Sequence, residues 1–142
     1  MNVLVDTSIW SLALRRKPSR KTGAPLSAAA DLAELVREAR ARIIGPIRQE
    51  LLSGVPDPAQ WGRLRDRMAA FPDLPLATSD YEKAAEFHNE CRGRGVQGSH
   101  IDFLICAAAS LRSLPIFTAD ADFTRYAAIV PISLYTPRST SA

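Results

Sequence analysis

Short apolar runs alternate with longer stretches of helical spacing along the whole chain. Asn2 to Val5 is apolar and short enough to read as a buried strand, and Thr7 or Ser8 can cap a following helix that carries Ile9, Trp10, Leu12 and Leu14. Between Leu26 and Arg40, apolar residues at Leu32, Leu35, Val36 and Ala39 keep helical spacing. Arg42-Ile43-Ile44 reads as a second strand stopped by Gly45-Pro46, and Pro46 suits the first turn of a helix bearing Ile47, Glu50, Leu51 and Gly54 on one side. Asp57-Pro58 opens another helix, through Trp61, Leu64 and Met68 to Phe71. Leu74 to Ala77 is a weak strand broken by Pro75. Ser79-Asp80-Tyr81-Glu82 is a capping-box pattern that opens a helix to about Arg94. His100 to Arg112 is helical and apolar on nearly every side. Ile116 to Thr118 predicts a strand, Asp122 to Ala128 a short helix, and Ile132 to Leu134 a last strand.

Strands alternating with helices predict an α/β fold, with a parallel central sheet covered by helices on both faces. No repeat or linker divides the chain, so residues 1–136 are expected to form one domain and residues 137–142 a flexible C-terminal tail.

Composition narrows the class. With 142 residues, 46% hydrophobic and 23% charged, the chain can bury a full core without staples. Cys91 and Cys106 both lie in helical stretches, so reduced thiols are expected and a disulfide framework is not. Nothing approaches the roughly 18 apolar residues that span a bilayer, and Met1-Asn2-Val3-Leu4-Val5 meets Asp6 without the pattern of a signal peptide. A cytoplasmic protein with no membrane contact is expected. The net charge of +3 is modest, but Arg15, Arg16, Lys17, Arg20 and Lys21 form a basic run beside Pro18 and Gly23. Such an exposed loop could hold phosphates over an acidic pocket, which makes Arg15, Arg16 and Lys17 candidates for a polyanion surface.

The acids supply that pocket. In parallel α/β sheets, ligands bind outside the carboxyl ends of the strands. Asp6 directly follows the first strand, Asp120 stands just past the strand ending at Thr118, and Glu50 lies early in the helix after the second strand. Asp102 is surrounded in sequence by Ile101, Phe103, Leu104, Ile105 and Cys106, where a charge is costly unless it is paired or binds a metal. Carboxylates converging without a counter-charge would raise one another's pKa values. A hard cation such as Mg²⁺ or Mn²⁺ relieves that, and the two histidines and two cysteines show no zinc spacing. Taken singly, Asp6 and Asp120 also fit helix caps, and Glu50 fits an ordinary surface residue. His88 and His100 fit acid–base catalysts of a metal-free nuclease less well, and Trp10 and Trp61 fit packing better than base stacking.

These residues carry a family resemblance. Val3-Leu4-Val5-Asp6-Thr7-Ser8 resembles the opening strand and first acid of PIN-domain nucleases. Ile47-Arg48-Gln49-Glu50-Leu51-Leu52-Ser53-Gly54 resembles their second motif, His100 to Ala109 the third, and Ile116-Phe117-Thr118-Ala119-Asp120-Ala121-Asp122-Phe123 the fourth. All four stand in family order from Val3 to Phe123. Within the family, the small single-domain form looks like the VapC-type toxins of toxin–antitoxin pairs.

The resemblance implies a PIN-like three-layer sandwich and a Mg²⁺- or Mn²⁺-dependent endoribonuclease that cuts structured RNA, transfer or ribosomal, and so inhibits translation. It implies Asp6, Glu50, Asp102 and Asp120 as catalytic and metal-binding acids, Asp122 as a secondary metal ligand, and Thr7, Ser8 and Thr118 in support. It further implies a homodimer, silenced by a small VapB-like antitoxin in a heterotetramer or larger assembly. The alternative within the family is an RNA-processing nuclease outside toxin–antitoxin systems. A phosphorylated receiver domain also gathers acids at strand ends, but it calls for adjacent acids near the first strand and a late lysine. Here Asp6 stands alone and no lysine follows Lys83.

Overall fold

Val3, Leu4 and Val5 have no exposed surface and form the central strand, β1 (Val3–Val5), as an unbroken apolar run requires when both faces of a sheet are covered. The computed structural model describes residues 1–14 and 23–138. The basic run with Arg15, Arg16 and Lys17, and residues 139–142, lie outside the described residues. β1 pairs in parallel with β2 (Ala41–Arg42) and β3 (Ile116–Phe117), in the order β2-β1-β3. The register sets Val3 against Ala41 and Leu4 against Ile116.

Parallel neighbours need long crossovers, and helices supply them. Between β1 and β2 come α1 (Thr7–Leu14) and α2 (Gly23–Arg37). Between β2 and β3 come α3 (Gly45–Ser53), α4 (Pro58–Met68), α5 (Thr78–Gly93) and α6 (His100–Arg112), and α7 (Asp122–Ala127) follows β3. This is the expected α/β architecture.

The differences from expectation have local causes. The strands expected at residues 74–77 and 132–134 reduce to single parallel bridges, Ile43 with Asp73 and Ile116 with Leu134. Pro72 and Pro75 flank the first bridge, and Pro131 precedes the second. Proline has no N–H to give a ladder, so pairing stops there. The second strand sits one residue early, at Ala41–Arg42, while Ile43 and Ile44 continue beyond it fully buried. α2 starts at Gly23 and ends at Arg37, and Ala39, at φ 56°, turns the chain into β2. α4 stops at Met68, short of Phe71. The capping acid of α5 is Asp80 and not Glu82: its Oδ2 accepts the Ala77 N–H at 2.8 Å.

α6 is the core helix. Every residue from Phe103 to Ala109 is buried, the Ser99 hydroxyl caps its start by accepting the Asp102 N–H at 3.0 Å, and Ser113 closes it in a left-handed conformation. α5 packs along α6, and one ion pair clamps the two together. Arg112 donates to both oxygens of Asp80, at 2.5 and 3.1 Å, and to the Pro75 carbonyl at 2.8 Å. Trp10 belongs to the core, 1% exposed, with its Nε1 donating to the Val5 carbonyl at 3.0 Å. Trp61 does not: it is 37% exposed on α4, with the Arg65 guanidinium 5.6 Å from its ring centre. Cys91 and Cys106 are buried free thiols, and burial pushes both above the usual thiol range. Arg138, placed in the tail by the sequence reading, pairs with Glu34 and Glu38 of α2. Among the described residues, no helix is long and apolar enough to cross a membrane.

Candidate active site

The end of β1 delivers Asp6 to the carboxyl edge of the sheet, where it is 6% exposed. Its main-chain carbonyl accepts the Ile9 and Trp10 N–H groups and so opens α1, which leaves the side chain for other partners. Asp6 Oδ2 accepts the Ser8 hydroxyl at 2.9 Å and the Thr118 hydroxyl at 2.8 Å. Thr118 follows β3, so a neighbouring strand end pins the carboxylate across the sheet. The bonding continues outward. Ser8 Oγ accepts the Ala119 N–H at 3.0 Å, Thr118 Oγ1 accepts the Asp120 N–H at 3.0 Å, and Asp120 Oδ1 accepts the Asp122 N–H at 2.9 Å. Asp120 therefore does act as a cap for the segment entering α7. That role occupies one oxygen and leaves the other available.

Asp102 arrives from a third direction, in the first turn of α6. Its Oδ2 accepts the Tyr126 hydroxyl at 2.7 Å. Burial pushes the Asp102 carboxyl above the usual aspartate range, the hydrogen bonds from Tyr126 and Ser99 oppose the rise, and the negative charges of Asp6 and Asp120 add to it. Three carboxylates thus stand within electrostatic reach of one another, and among the described residues no ion pair reaches Asp102. Tyr126 is itself pushed upward by burial and by Asp102, so it stays a neutral donor.

Glu50 and Asp122 sit at the margin. Glu50 is exposed on α3 and accepts the Thr7 hydroxyl at 3.2 Å, which ties α3 to the start of α1. Asp122 is half exposed and pairs with Arg125 at 3.4 Å. The convergence is looser than four acids in one cage: among the described residues, no three His, Cys, Asp or Glu side chains form a ready cluster for an ion. Each acid is held by its own donors: Ser8 and Thr118 on Asp6, Tyr126 on Asp102, the Asp122 N–H on Asp120 and Thr7 on Glu50.

His88 and His100 lie elsewhere in character. Their rings stack at 5.4 Å with Phe103 edge-on to His88 at 5.3 Å, between α5 and α6. Neither bonds to an acid among the described hydrogen bonds.

Sequence reasoning missed two participants. Tyr126 looks like one more apolar residue of a short helix, and only the fold brings it to Asp102, 24 positions away. Gly98 looks like loop punctuation. A Cβ there would fall 2.2 Å from the Tyr126 hydroxyl and 3.0 Å from the Phe103 ring. The glycine is what gives Tyr126 room to reach Asp102.

Comparison with known proteins follows the geometry. A family model, the PIN domain, matches residues 3–129. Among solved structures, FitAcB from Neisseria gonorrhoeae is similar at 21% identity and a TM-score of 0.74, over 95% of this chain and 97% of that one. VapBC2 from Rickettsia felis, bound to a DNA fragment from its promoter, is similar at 18% identity and a TM-score of 0.72, over 95% and 98%. VapBC-1 from nontypeable Haemophilus influenzae is similar at 15% identity and a TM-score of 0.71, over 95% and 97%. At these identities the structures speak for the fold. No curated protein matches by sequence. The family match runs from the first strand through the last helix, and the chain belongs to the PIN-domain family of nucleases.

Proposed function

We propose that this protein is a metal-dependent endoribonuclease and the toxin of a toxin–antitoxin pair. One observation carries the nuclease reading: Asp6, Asp102 and Asp120 stand within reach of one another at the carboxyl edge of a parallel sheet, and among the described residues none of the three is in an ion pair. The donor set fits a hard ion. It is all oxygen, carboxylates with the Ser8 and Thr118 hydroxyls beside them, and Mg²⁺ commonly takes only one or two carboxylates and keeps several waters. Asp6, Asp102 and Asp120 would hold Mg²⁺ or Mn²⁺, with Glu50 next in reach and Asp122 secondary. When bound, such an ion supplies Lewis-acid activation of water and neutralises charge developing on phosphate oxygens.

The protein's own groups then have distinct tasks. Thr118 and Ser8 fix the Asp6 carboxylate by donating to one oxygen, Tyr126 fixes Asp102, and Thr118 sets the backbone that presents Asp120. The apolar residues of α6 behind Asp102 exclude water from its far side. Support for the toxin reading, with a small antitoxin as partner, comes from the similarity to toxin–antitoxin complexes. An antitoxin arginine among the three aspartates would be a physically suitable inhibitor, since guanidinium pairs strongly with carboxylates.

The test is cleavage of purified cellular RNA, with new 5′ ends mapped by sequencing. Excess EDTA should abolish cleavage, Mg²⁺ or Mn²⁺ should restore it, and Ca²⁺ should restore it poorly because its coordination is longer and looser. Undiminished cleavage in excess chelator counts against the reading. Co-expression with a short upstream reading frame should relieve growth arrest; arrest that no neighbouring frame relieves would favour an RNA-processing nuclease.

A second expectation concerns the tyrosine. Tyr126→Phe removes a hydrogen bond to a charged group, worth roughly 1.5–3 kcal/mol, and should lower the cleavage rate with little change in fold. Gly98→Ala should do the same by displacing the hydroxyl, and should also lower the urea midpoint, overpacking costing roughly 1–3 kcal/mol. Full activity in Tyr126→Phe would mean that Asp102 needs no positioning from Tyr126.

A further inference from the structure

Arg63 and Arg67 share one face of α4 with Gln60, at spacings of three and four residues, while Leu64 and Met68 anchor the helix in the core. With Leu14 and Val55 they line an open cleft of about 340 Å³. Among the described residues, six other arginines are committed to acids. Arg40, Arg48, Arg65, Arg112, Arg125 and Arg138 each hold a carboxylate. Arg63 and Arg67 make no ion pair among the described residues, so their guanidinium groups are unspent.

Their position relates to the acids. α1 starts at Thr7, which bonds to Glu50, and ends at Leu14 in the cleft. Those seven steps of helix span about 10 Å. A strand whose scissile phosphate lies at the acids would therefore have another phosphate over the cleft within a few nucleotides. Trp61, with its ring backed by Arg65, projects from a different side of α4 and does not line the cleft.

We propose that Arg63 and Arg67 hold phosphodiesters of single-stranded RNA leading into the acidic site; this rests on the RNA-cleaving reading above. The arrangement favours RNA over an acidic peptide because the basic pair lies at the end of the helix that starts beside the acids, one short run of backbone phosphates away.

The experiment measures binding of a fluorescein-labelled single-stranded oligoribonucleotide in EDTA, so that affinity is read without cleavage, over a series of salt concentrations. Arg63→Gln with Arg67→Gln should weaken binding by about tenfold or more, charge-assisted hydrogen bonds being the ones lost. The slope of log affinity against log salt should shrink by about 1.4, at about 0.7 per phosphate contact on a single strand. Arg63→Lys with Arg67→Lys, which keeps the charges, should retain the slope. If the wild type fails to bind RNA both in EDTA and with Ca²⁺ in place of the chelator, the RNA-cleaving reading itself fails. If the wild type binds and the Gln variant matches it in affinity and slope, the cleft assignment is overturned. If the Gln variant keeps RNA but loses a poly-glutamate peptide that the wild type binds, the cleft serves an acidic protein segment and the assignment is likewise overturned.

Discussion

Asp102→Asn should abolish RNA cleavage and at the same time make the metal-free protein harder to unfold. The first half follows from the site: loss of one carboxylate weakens metal binding and removes stabilisation worth several kcal/mol, or about a thousandfold in rate. Asp6→Asn and Asp120→Asn should do the same, while Asp122→Asn, already paired with Arg125, should cost less. The second half follows from burial. The folded protein raises the Asp102 carboxyl above its ordinary value, first by burial and then by Asp6 and Asp120. A carboxyl whose folded pKa lies above its unfolded value adds no penalty below the ordinary aspartate value of about 4. The penalty grows as pH rises toward the folded value and is complete above it. At neutral pH the wild type carries that burden and the amide does not. Urea denaturation in EDTA at pH 7 and at pH 4 measures it: Asp102→Asn should be the more stable at pH 7, with the difference shrinking at pH 4. A variant that is fully active, or less stable at pH 7, would show that Asp102 is structural.

Asp80→Asn should produce the largest loss of stability. The Asp80 side chain is 2% exposed, Arg112 grips both its oxygens, and its Oδ2 also accepts the Ala77 N–H. Replacing the carboxylate leaves the part-buried Arg112 without its counter-charge, and losing a hydrogen bond to a charged group costs roughly 1.5–3 kcal/mol. The Arg112 hydrogen bonds hold the Asp80 carboxyl below the usual aspartate range. The contribution of the pair is therefore present above an ordinary pKa of about 4 and is lost as pH falls through the lower folded value. Urea midpoints for wild type and Asp80→Asn should lie far apart at pH 7 and approach each other in acid. Removing both charges, as Asp80→Asn with Arg112→Met, should recover part of the loss. A midpoint that barely moves in the single variant would mean that the clamp is not what joins α5 to α6.

What the sequence made legible was whatever depended on neighbours along the chain. The bounds of α6 are readable because Ser99 caps one end and the apolar run stops at Arg112. The acids after β1 and β3 are readable because strand ends are where a parallel sheet presents its ligands. Contacts made across the fold were not legible. Nothing near Tyr126 announces Asp102, and nothing near Gly98 announces Tyr126. Of the strands expected at residues 74–77 and 132–134, each shrank to a single bridge; Pro75 already marked the first as weak and broken, and the apolar content of the second carried more weight than Pro131 before it. The basic face of α4 was hidden for another reason: Arg63, Arg65 and Arg67 look equivalent in sequence, and only helical geometry assigns Arg65 to Trp61 and Asp66 while Arg63 and Arg67 share the cleft.

The proline-flanked bridges at Asp73 and Leu134 have a consequence for recognition. An exposed ladder of free N–H and C=O groups invites another chain to add a strand, whether a partner or a second copy in an aggregate. Here both outer strands are two residues long, and each is covered by a bridge that cannot propagate. Among the described residues the sheet offers no template for strand addition. Any protein that docks on this one has to recognise side chains on helices and the grooves between them, so its specificity rests on residues that single substitutions can change.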